Sequence, residues 1–308
     1  MTAHKGVRES IIDGTQAGQR FDTTVAEVWP DVSRAVWSAA IKRGEVVLDG
    51  RPAKPAQKTL FGSKITVLIE PDRQVEPLVS AQGESPEVLY QDDDVIVINK
   101  PAGLIVHPIR LESNEPSVVG TFQSDIQDED PLRPGVVHRL DRDTSGVMVL
   151  ARTPAAKTFL QAAFRARKVK KTYWALVLGD LGKGVKRLSF GLAPASGKTG
   201  VMRVDPLGKA SETLVSRLQF GGQVSLVEAR PVTGRTHQIR IHLSALGFPI
   251  LGDSTYGRAG ALAPRQMLHA RTLSLVLPSG QHKTFEASLP KDFQATMEQY
   301  SCQMPLAD

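Results

Sequence analysis

The chain has 308 residues, 41% of them hydrophobic and 23% charged. At roughly 100–200 residues per domain this length predicts two domains, and the apolar share suffices for a packed core, which excludes a disordered tail, a coiled coil and a collagen. The single cysteine, Cys302, excludes an intramolecular disulfide framework and a cysteine-built zinc site.

No apolar run reaches the roughly 18 residues of a membrane helix. Residues Met1 to Glu9 lack the apolar stretch of a secretory signal. A cytoplasmic protein with no membrane partner is therefore expected. The net charge of +6 is unevenly divided. Residues 1–80 carry 11 basic and 10 acidic residues, residues 81–135 carry 3 and 11, and residues 136–308 carry 24 and 11, a net +13. A basic block of this kind concentrates polyanions, nucleic acid first among them, although a solvated lysine-rich surface would look the same by charge alone.

In chain order, residues 1–17 show no period and read as a flexible tail. Residues 18–78 read as a compact module. A helical pattern runs from Phe21 through Val25 and Val28 to Trp29. Ser33 then caps a second helix over Arg34–Arg43, which Gly44 closes. Val46–Leu48 and the turn pair Asp49-Gly50 signal a hairpin, and Ile65–Ile69 reads as a strand with apolar residues on both faces. Residues 70–87 are rich in proline and polar residues, with the linker placed at 79–87. The second domain spans 88–300. It has buried strands at Val95–Ile98 and Val147–Ala151, and an acidic, loop-rich excursion over 109–135. Pro154 opens a helix with the apolar stripe Ala156, Phe159, Leu160, Ala163 and Phe164. Strands follow at Tyr173–Leu178 and Ser225–Ala229, then a helix over Thr236–Leu246 closed by Gly247.

Two clusters could carry chemistry. The first, Gly135 to Gly146, packs His138, Arg139, Asp141, Arg142 and Asp143 into a turn between apolar strands, where a carboxylate can be held rigidly. A turn that merely caps its own backbone needs fewer ionisable groups. In the second, Pro231 to Leu243, His237 and Arg240 share a helical face, as do Gln238 and His242. His237 and His242 are five apart, the wrong spacing for a helical metal pair. An aspartate flanked by arginines has its ionised form favoured, which suits a nucleophile better than a general acid. A phosphate-transferring aspartate in Asp141-Arg142-Asp143-Thr144 is the rival reading, but no later acidic pair for magnesium accompanies it.

Both clusters resemble the Rlu-type (RluA/RluD) RNA pseudouridine synthases. The hallmark H-R-L-D-x-x-T-S/T-G stands here as His138 to Gly146, and the hallmark T-G-R-T/S-H-Q-I/L-R-x-H as Thr233 to His242. Ile98 to Gly103, Lys170 to Tyr173 and Pro249 to Gly257 also match, in the family's order. The stretches Gly18 to Asp22, Val32 to Arg34 and Val46 to Gly50 resemble the S-four-like RNA-binding module that many of these enzymes carry.

The resemblance implies an α+β protein, with a small S-four-like module ahead of a catalytic domain built on a mixed, largely antiparallel sheet with flanking helices. It implies isomerisation of uridine to pseudouridine in structured RNA, most simply large-subunit ribosomal RNA, with transfer RNA or both as alternatives. A non-catalytic RNA-binding assembly factor is the alternative from another class. No cofactor, metal or obligate protein partner is implied. By the same resemblance Asp141 is the catalytic carboxylate and Arg240 its partner, with Arg235 as the fallback. Tyr173 stacks on the uracil near the proton that leaves C5. Arg139 fills the space left by the flipped nucleotide. Arg235, His237, Lys100, Arg165, Arg167, Lys168, Lys171 and Arg34 are the further expected RNA contacts, and Asp143 is structural.

Overall fold

The structure is a computed structural model that describes residues 8–71, 85–108, 115–128, 130, 132–257 and 262–303. It divides into two compact units: Met1–Ser80 with His107–Pro134, and Ala81–Val106 with Gly135–Asp308. The segment 107–134, expected within the second domain, therefore groups with the first unit. Most of the expected linker at 79–87 and the stretch 109–114 lie outside the described residues.

The first unit contains β1 (Arg8–Ile11), α1 (Phe21–Val28), α2 (Arg34–Arg43), β2 (Val46–Leu48), β3 (Arg51–Pro52) and β4 (Lys64–Val67). The strands form an antiparallel sheet in the order β1-β4-β2-β3. Ser33 accepts a hydrogen bond from the Val36 amide and Gly44 takes the left-handed conformation, so α2 begins and ends where its cap residues dictate. Asp49 and Gly50 both have positive φ, 50° and 72°, the backbone of a type I′ hairpin turn. Trp37 is fully buried beside Phe21 and Ile41, and its indole N–H donates to the Trp29 carbonyl at 3.1 Å.

Two expectations need correction here. Residues 8–11 are a strand and not part of a flexible tail. Arg8 is tied to Glu70 at 2.6 Å and to Asp31 at 2.9 Å, Ile12 is buried, and four residues are too few to show a period in the sequence. The strand near residue 65 is also shorter than read: Ile65 and Val67 face the core, whereas Leu68 and Ile69 lie beyond it and are exposed. The first unit also holds a one-turn helix, α3 (Val118–Thr121), capped by Ser117.

The second unit is built on ten strands: β5 (Glu87–Gln91), β6 (Val95–Lys100), β7 (Ser145–Ala151), β8 (Lys170–Leu178), β9 (Val185–Pro194), β10 (Met202–Val204), β11 (Lys209–Phe220), β12 (Val224–Pro231), β13 (Leu268–Val276) and β14 (His282–Glu286). Their order is β10-β9-β11-β12-β8-β13-β7-β6-β5, with β14 paired to β13. All neighbours are antiparallel except β13 and β7, so the sheet is mixed and largely antiparallel, as expected. Helices α4 (Pro154–Arg165), α5 (Gln238–Ala245) and α6 (Lys291–Gln299) flank it. Strand β7 is buried along its whole length and β6 almost so, which explains the apolar runs Val147–Ala151 and Val95–Ile98 within them.

Helix α4 starts as its sequence requires, with Thr153 accepting from the Ala156 amide and Pro154 in the first turn. Of its stripe, Ala156 and Leu160 are buried while Phe159 is exposed. At the parallel junction Gly146 has φ 115°, and a Cβ there would lie 2.2 Å from the Ala270 carbonyl oxygen. Only glycine lets β7 and β13 approach this closely, and the turn that ends at Gly146 carries Asp141. Among the described residues no helix is long and apolar enough to cross a membrane.

Candidate active site

The turn before β7 is fixed through its backbone from two sides. Lys100 is fully buried, and its Nζ donates to the carbonyls of Pro101, Leu104 and Arg142 at 2.7–2.8 Å. From the other side Arg265 donates from Nη1 to the Asp143 carbonyl at 2.8 Å while its fork holds Asp292. Gln266 donates to Thr144 Oγ1 at 2.8 Å. Asp141 stands on a loop that cannot drift without breaking several buried hydrogen bonds.

Lys100 is therefore corrected: expected to contact RNA, it is sealed in the interior as a loop anchor. Burial pulls its ammonium down to about 7, against the attraction of Asp143 and Asp141.

The second cluster opens with a locked turn. Gln238 accepts from Thr233 Oγ1 at 2.7 Å and from the Arg235 amide at 3.0 Å, and donates to the Glu212 carbonyl and Thr213 Oγ1. These bonds explain why α5 begins at Gln238 and not at Thr236. His237 stands outside the helix with φ 55°, so it does not share a helical face with Arg240. His242 faces inward, its Nε2 2.7 Å from Ser211 Oγ, and burial lowers it to about 4. Both Gln238 and His242 are structural.

Arg240 joins the two clusters. Its Nη1 donates to Asp141 Oδ2 at 3.0 Å, while Nε and Nη2 donate to Asp253 at 2.7 and 2.8 Å. Asp253 also accepts from the Thr255 and Tyr256 amides. Burial works against the charge on both partners, and the mutual hydrogen bonds override it, holding Arg240 above and Asp253 below their ordinary ranges. Arg235, the fallback partner of Asp141, is exposed and reaches the Ala210 carbonyl instead.

Asp141, Tyr173 and Arg240 line one cavity of about 710 Å³. Arg139, Arg165, Arg167, Lys171, Arg235 and His237 are also on its wall, and among the described residues Asp141 is the one carboxylate there. Tyr173 enters from β8, paired with Ala229 of β12 and Ala270 of β13. Burial, aided by the negative charge of Asp141, raises its hydroxyl well above the ordinary range, so it stays a phenol. Lys171, two residues earlier on the same strand face, is lowered by burial. Lys168 is exposed at the end of α4 but off the cavity wall, and Arg34 is exposed on α2 of the other unit. His138 stacks on Phe164 with ring centroids 4.6 Å apart and accepts from the Val149 amide. Burial lowers it to about 3, so it is neutral.

Asp253 and Tyr256 belong to the site, and the sequence reading gave neither a role. Tyr256 lies under the Arg240 guanidinium at 5.0 Å and contacts His237 Nδ1 at 2.8 Å. The signal available was the matched stretch Pro249 to Gly257, whose Gly252 approaches the Arg265 backbone too closely for any Cβ. Among the described residues no group of three or more His, Cys, Asp or Glu side chains could hold a metal ion.

A carboxylate held by a buried arginine shares this cavity with a phenol and a cation-rich rim suited to a polyanion. Residues 94–245 match the RNA pseudouridylate synthase family. The chain is 38% identical to the ribosomal large subunit pseudouridine synthase D of Xanthomonas campestris, over 94% of this chain and 92% of that one. It is 36% identical to the protein of the same name from Vibrio vulnificus, over 92% and 91%. An RNA pseudouridine synthase of Chloroflexus aurantiacus is 39% identical over 95% and 93%. Among solved structures, human RNA pseudouridylate synthase domain containing 4 superposes with a TM-score of 0.55 and 29% identity, covering 71% of this chain and 94% of that one. The chain belongs to the RNA pseudouridylate synthase family, and its reaction is the isomerisation of uridine to pseudouridine in RNA.

Proposed function

We propose that this enzyme modifies large-subunit ribosomal RNA in the cytoplasm, with Asp141 as the carboxylate that acts on the target uridine. The observation that carries the assignment of Asp141 is its place as the sole carboxylate, among the described residues, on a cationic cavity wall, bonded to Arg240 through one oxygen. Relatives named for the large ribosomal subunit, alike over nearly the whole chain, support the choice of RNA.

The uracil is detached at N1–C1′, turned, and rejoined through C5, so the elements of the substrate are conserved. Asp141, oriented by its hydrogen bond from Arg240, cleaves the glycosidic bond. Tyr173 stacks on the uracil, and its hydroxyl lies in the path of the proton that leaves C5. Arg139 replaces the flipped nucleotide in the RNA stack. Arg165, Arg167, Lys171, Arg235 and His237 contact the RNA at the cavity, and Lys168 contacts it beyond the cavity wall. Residues 18–78 act as an S-four-like RNA-binding domain, to which Arg34 contributes.

Mapping pseudouridines in total RNA from cells with and without the protein tests the target. The reading expects loss at one or more large-subunit ribosomal positions. Loss confined to transfer RNA, or no loss at all, would contradict it.

A further inference from the structure

His237 has a left-handed backbone, uncommon for a residue other than glycine and a conformation that persists where the surroundings enforce it. Gln238, bonded back to Thr233 and Arg235, holds the residue out of α5, and a relay fixes its ring. The Tyr256 hydroxyl oxygen accepts from the Met202 amide at 2.9 Å and lies 2.8 Å from His237 Nδ1. Nδ1 is the one acceptor that meets the Tyr256 hydroxyl among the described residues, and the relay assigned to the pair has the Tyr256 proton directed at it. Nδ1 is then the acceptor, and the imidazole carries its one proton on Nε2. Burial and Arg240 keep the ring neutral, against the pull of Asp141 and Asp253, so the choice of tautomer matters.

Nε2 is 3.8 Å from Asp141 Oδ1, too far for a hydrogen bond, and both groups are on the cavity wall. An oxygen about 3 Å from each would complete a triangle with them. We propose that His237 is a further catalytic residue, whose Nε2–H donates to an oxygen of the target uridine where Asp141 acts, and that Tyr256 is the positioning residue that fixes its tautomer. The acceptor is a ribose oxygen or a uracil carbonyl, the hydrogen-bond acceptors of a uridine near the bond being broken. This inference rests on the assignment of Asp141 above.

The test is single-turnover and steady-state kinetics of His237→Asn, His237→Gln and Tyr256→Phe on target RNA, with Asp141→Ala in parallel. Asparagine tolerates the left-handed backbone, so strain does not explain its loss, but its amide nitrogen ends near the position of Nδ1. Glutamine reaches the position of Nε2. His237→Asn should lower kcat about 10–100-fold with KM little changed, the scale of one buried hydrogen bond to a reacting group. His237→Gln should recover most of that loss, and Tyr256→Phe should lower kcat several-fold at unchanged KM.

Wild-type kcat in His237→Asn, equal losses in Asn and Gln, or a change in KM alone would overturn the role of His237. Wild-type kcat in Tyr256→Phe would overturn the relay. An active Asp141→Ala would instead sink the underlying assignment, which keeps the two failures distinguishable. Repeating the comparison with 2′-deoxyuridine at the target narrows the acceptor: the Asn penalty vanishes if the partner was the ribose 2′-hydroxyl and persists if it was the ring oxygen O4′ or a uracil carbonyl.

Discussion

Arg240 gives Asp253 two hydrogen bonds and Asp141 only one. The fork of the guanidinium is spent on the buried partner, and the cavity-facing carboxylate is left with its second oxygen uncommitted to Arg240. Asp253 thus decides how Arg240 presents itself, and Arg240 decides how Asp141 does. A bidentate Arg240–Asp141 pair would hold both oxygens of the carboxylate proposed to react and leave it poorly placed to attack.

Removing Asp253 should therefore do two things. Asp253→Ala leaves a buried guanidinium without its main counter-charge, at a cost of about 3–5 kcal/mol in folding stability. It also frees the fork to close on Asp141, so kcat should fall in whatever fraction stays folded. Asp253→Asn, which keeps the shape and part of the hydrogen bonding, should be milder on both counts. Denaturant unfolding beside single-turnover rates checks this, and an Asp253→Ala protein of wild-type stability would contradict it.

Tyr173→Phe keeps the stacking surface and deletes only the hydroxyl. If that hydroxyl handles the C5 proton, the rate should fall on the order of 10²–10⁴-fold, with RNA affinity unchanged. Tyr173→Leu should weaken binding as well. Wild-type rates in the phenylalanine variant would reduce the residue to a platform for the base.

Lys100 makes a prediction about pH. Its folded value, about 7, is below its ordinary 10.5, so between those limits the unfolded chain holds more protons than the folded one. The Lys100 contribution to stability should therefore rise with pH from about 7 towards 10.5. Comparing unfolding at pH 7 and pH 9 in wild type and Lys100→Met isolates it. The difference between the two proteins should shift in favour of wild type at the higher pH. The variant should also lose activity, because the Arg142 carbonyl in the Asp141 loop and those of Pro101 and Leu104 beside it lose their shared donor.

Local rules made parts of this molecule legible before its structure. Helix α2 is bounded by Ser33 and Gly44 because capping is a matter of adjacent residues, and β7 reads as buried because Val147–Ala151 is apolar throughout. The limits of legibility are as physical. Lys100 looks like any other lysine in a basic protein, since the three carbonyls that swallow its ammonium come from residues 101, 104 and 142. Asp253 shows no role because its partner is thirteen residues away and its burial is a tertiary fact. The start of α5 was misplaced because Gln238, reaching back to Thr233 and Arg235, holds His237 out of the helix.

The end of α4 should supply general attraction for RNA. Charge reversal at Arg165 and Lys168, both exposed, should weaken binding to cognate and non-cognate RNA alike. It should flatten the salt dependence by roughly 0.7 log units per log salt for each lost single-strand phosphate contact. An unchanged slope would place the RNA elsewhere.

The most direct test of the account is tritium release from RNA carrying 5-tritiated uridine, because forming a C5–C1′ bond must expel the C5 hydrogen. Wild-type protein should release tritium from large-subunit ribosomal RNA. Asp141→Ala and Asp141→Asn should release none while binding the RNA nearly as well, and Asp143→Ala should remain active. Appreciable release by Asp141→Ala, or loss confined to Asp143→Ala, would contradict the account.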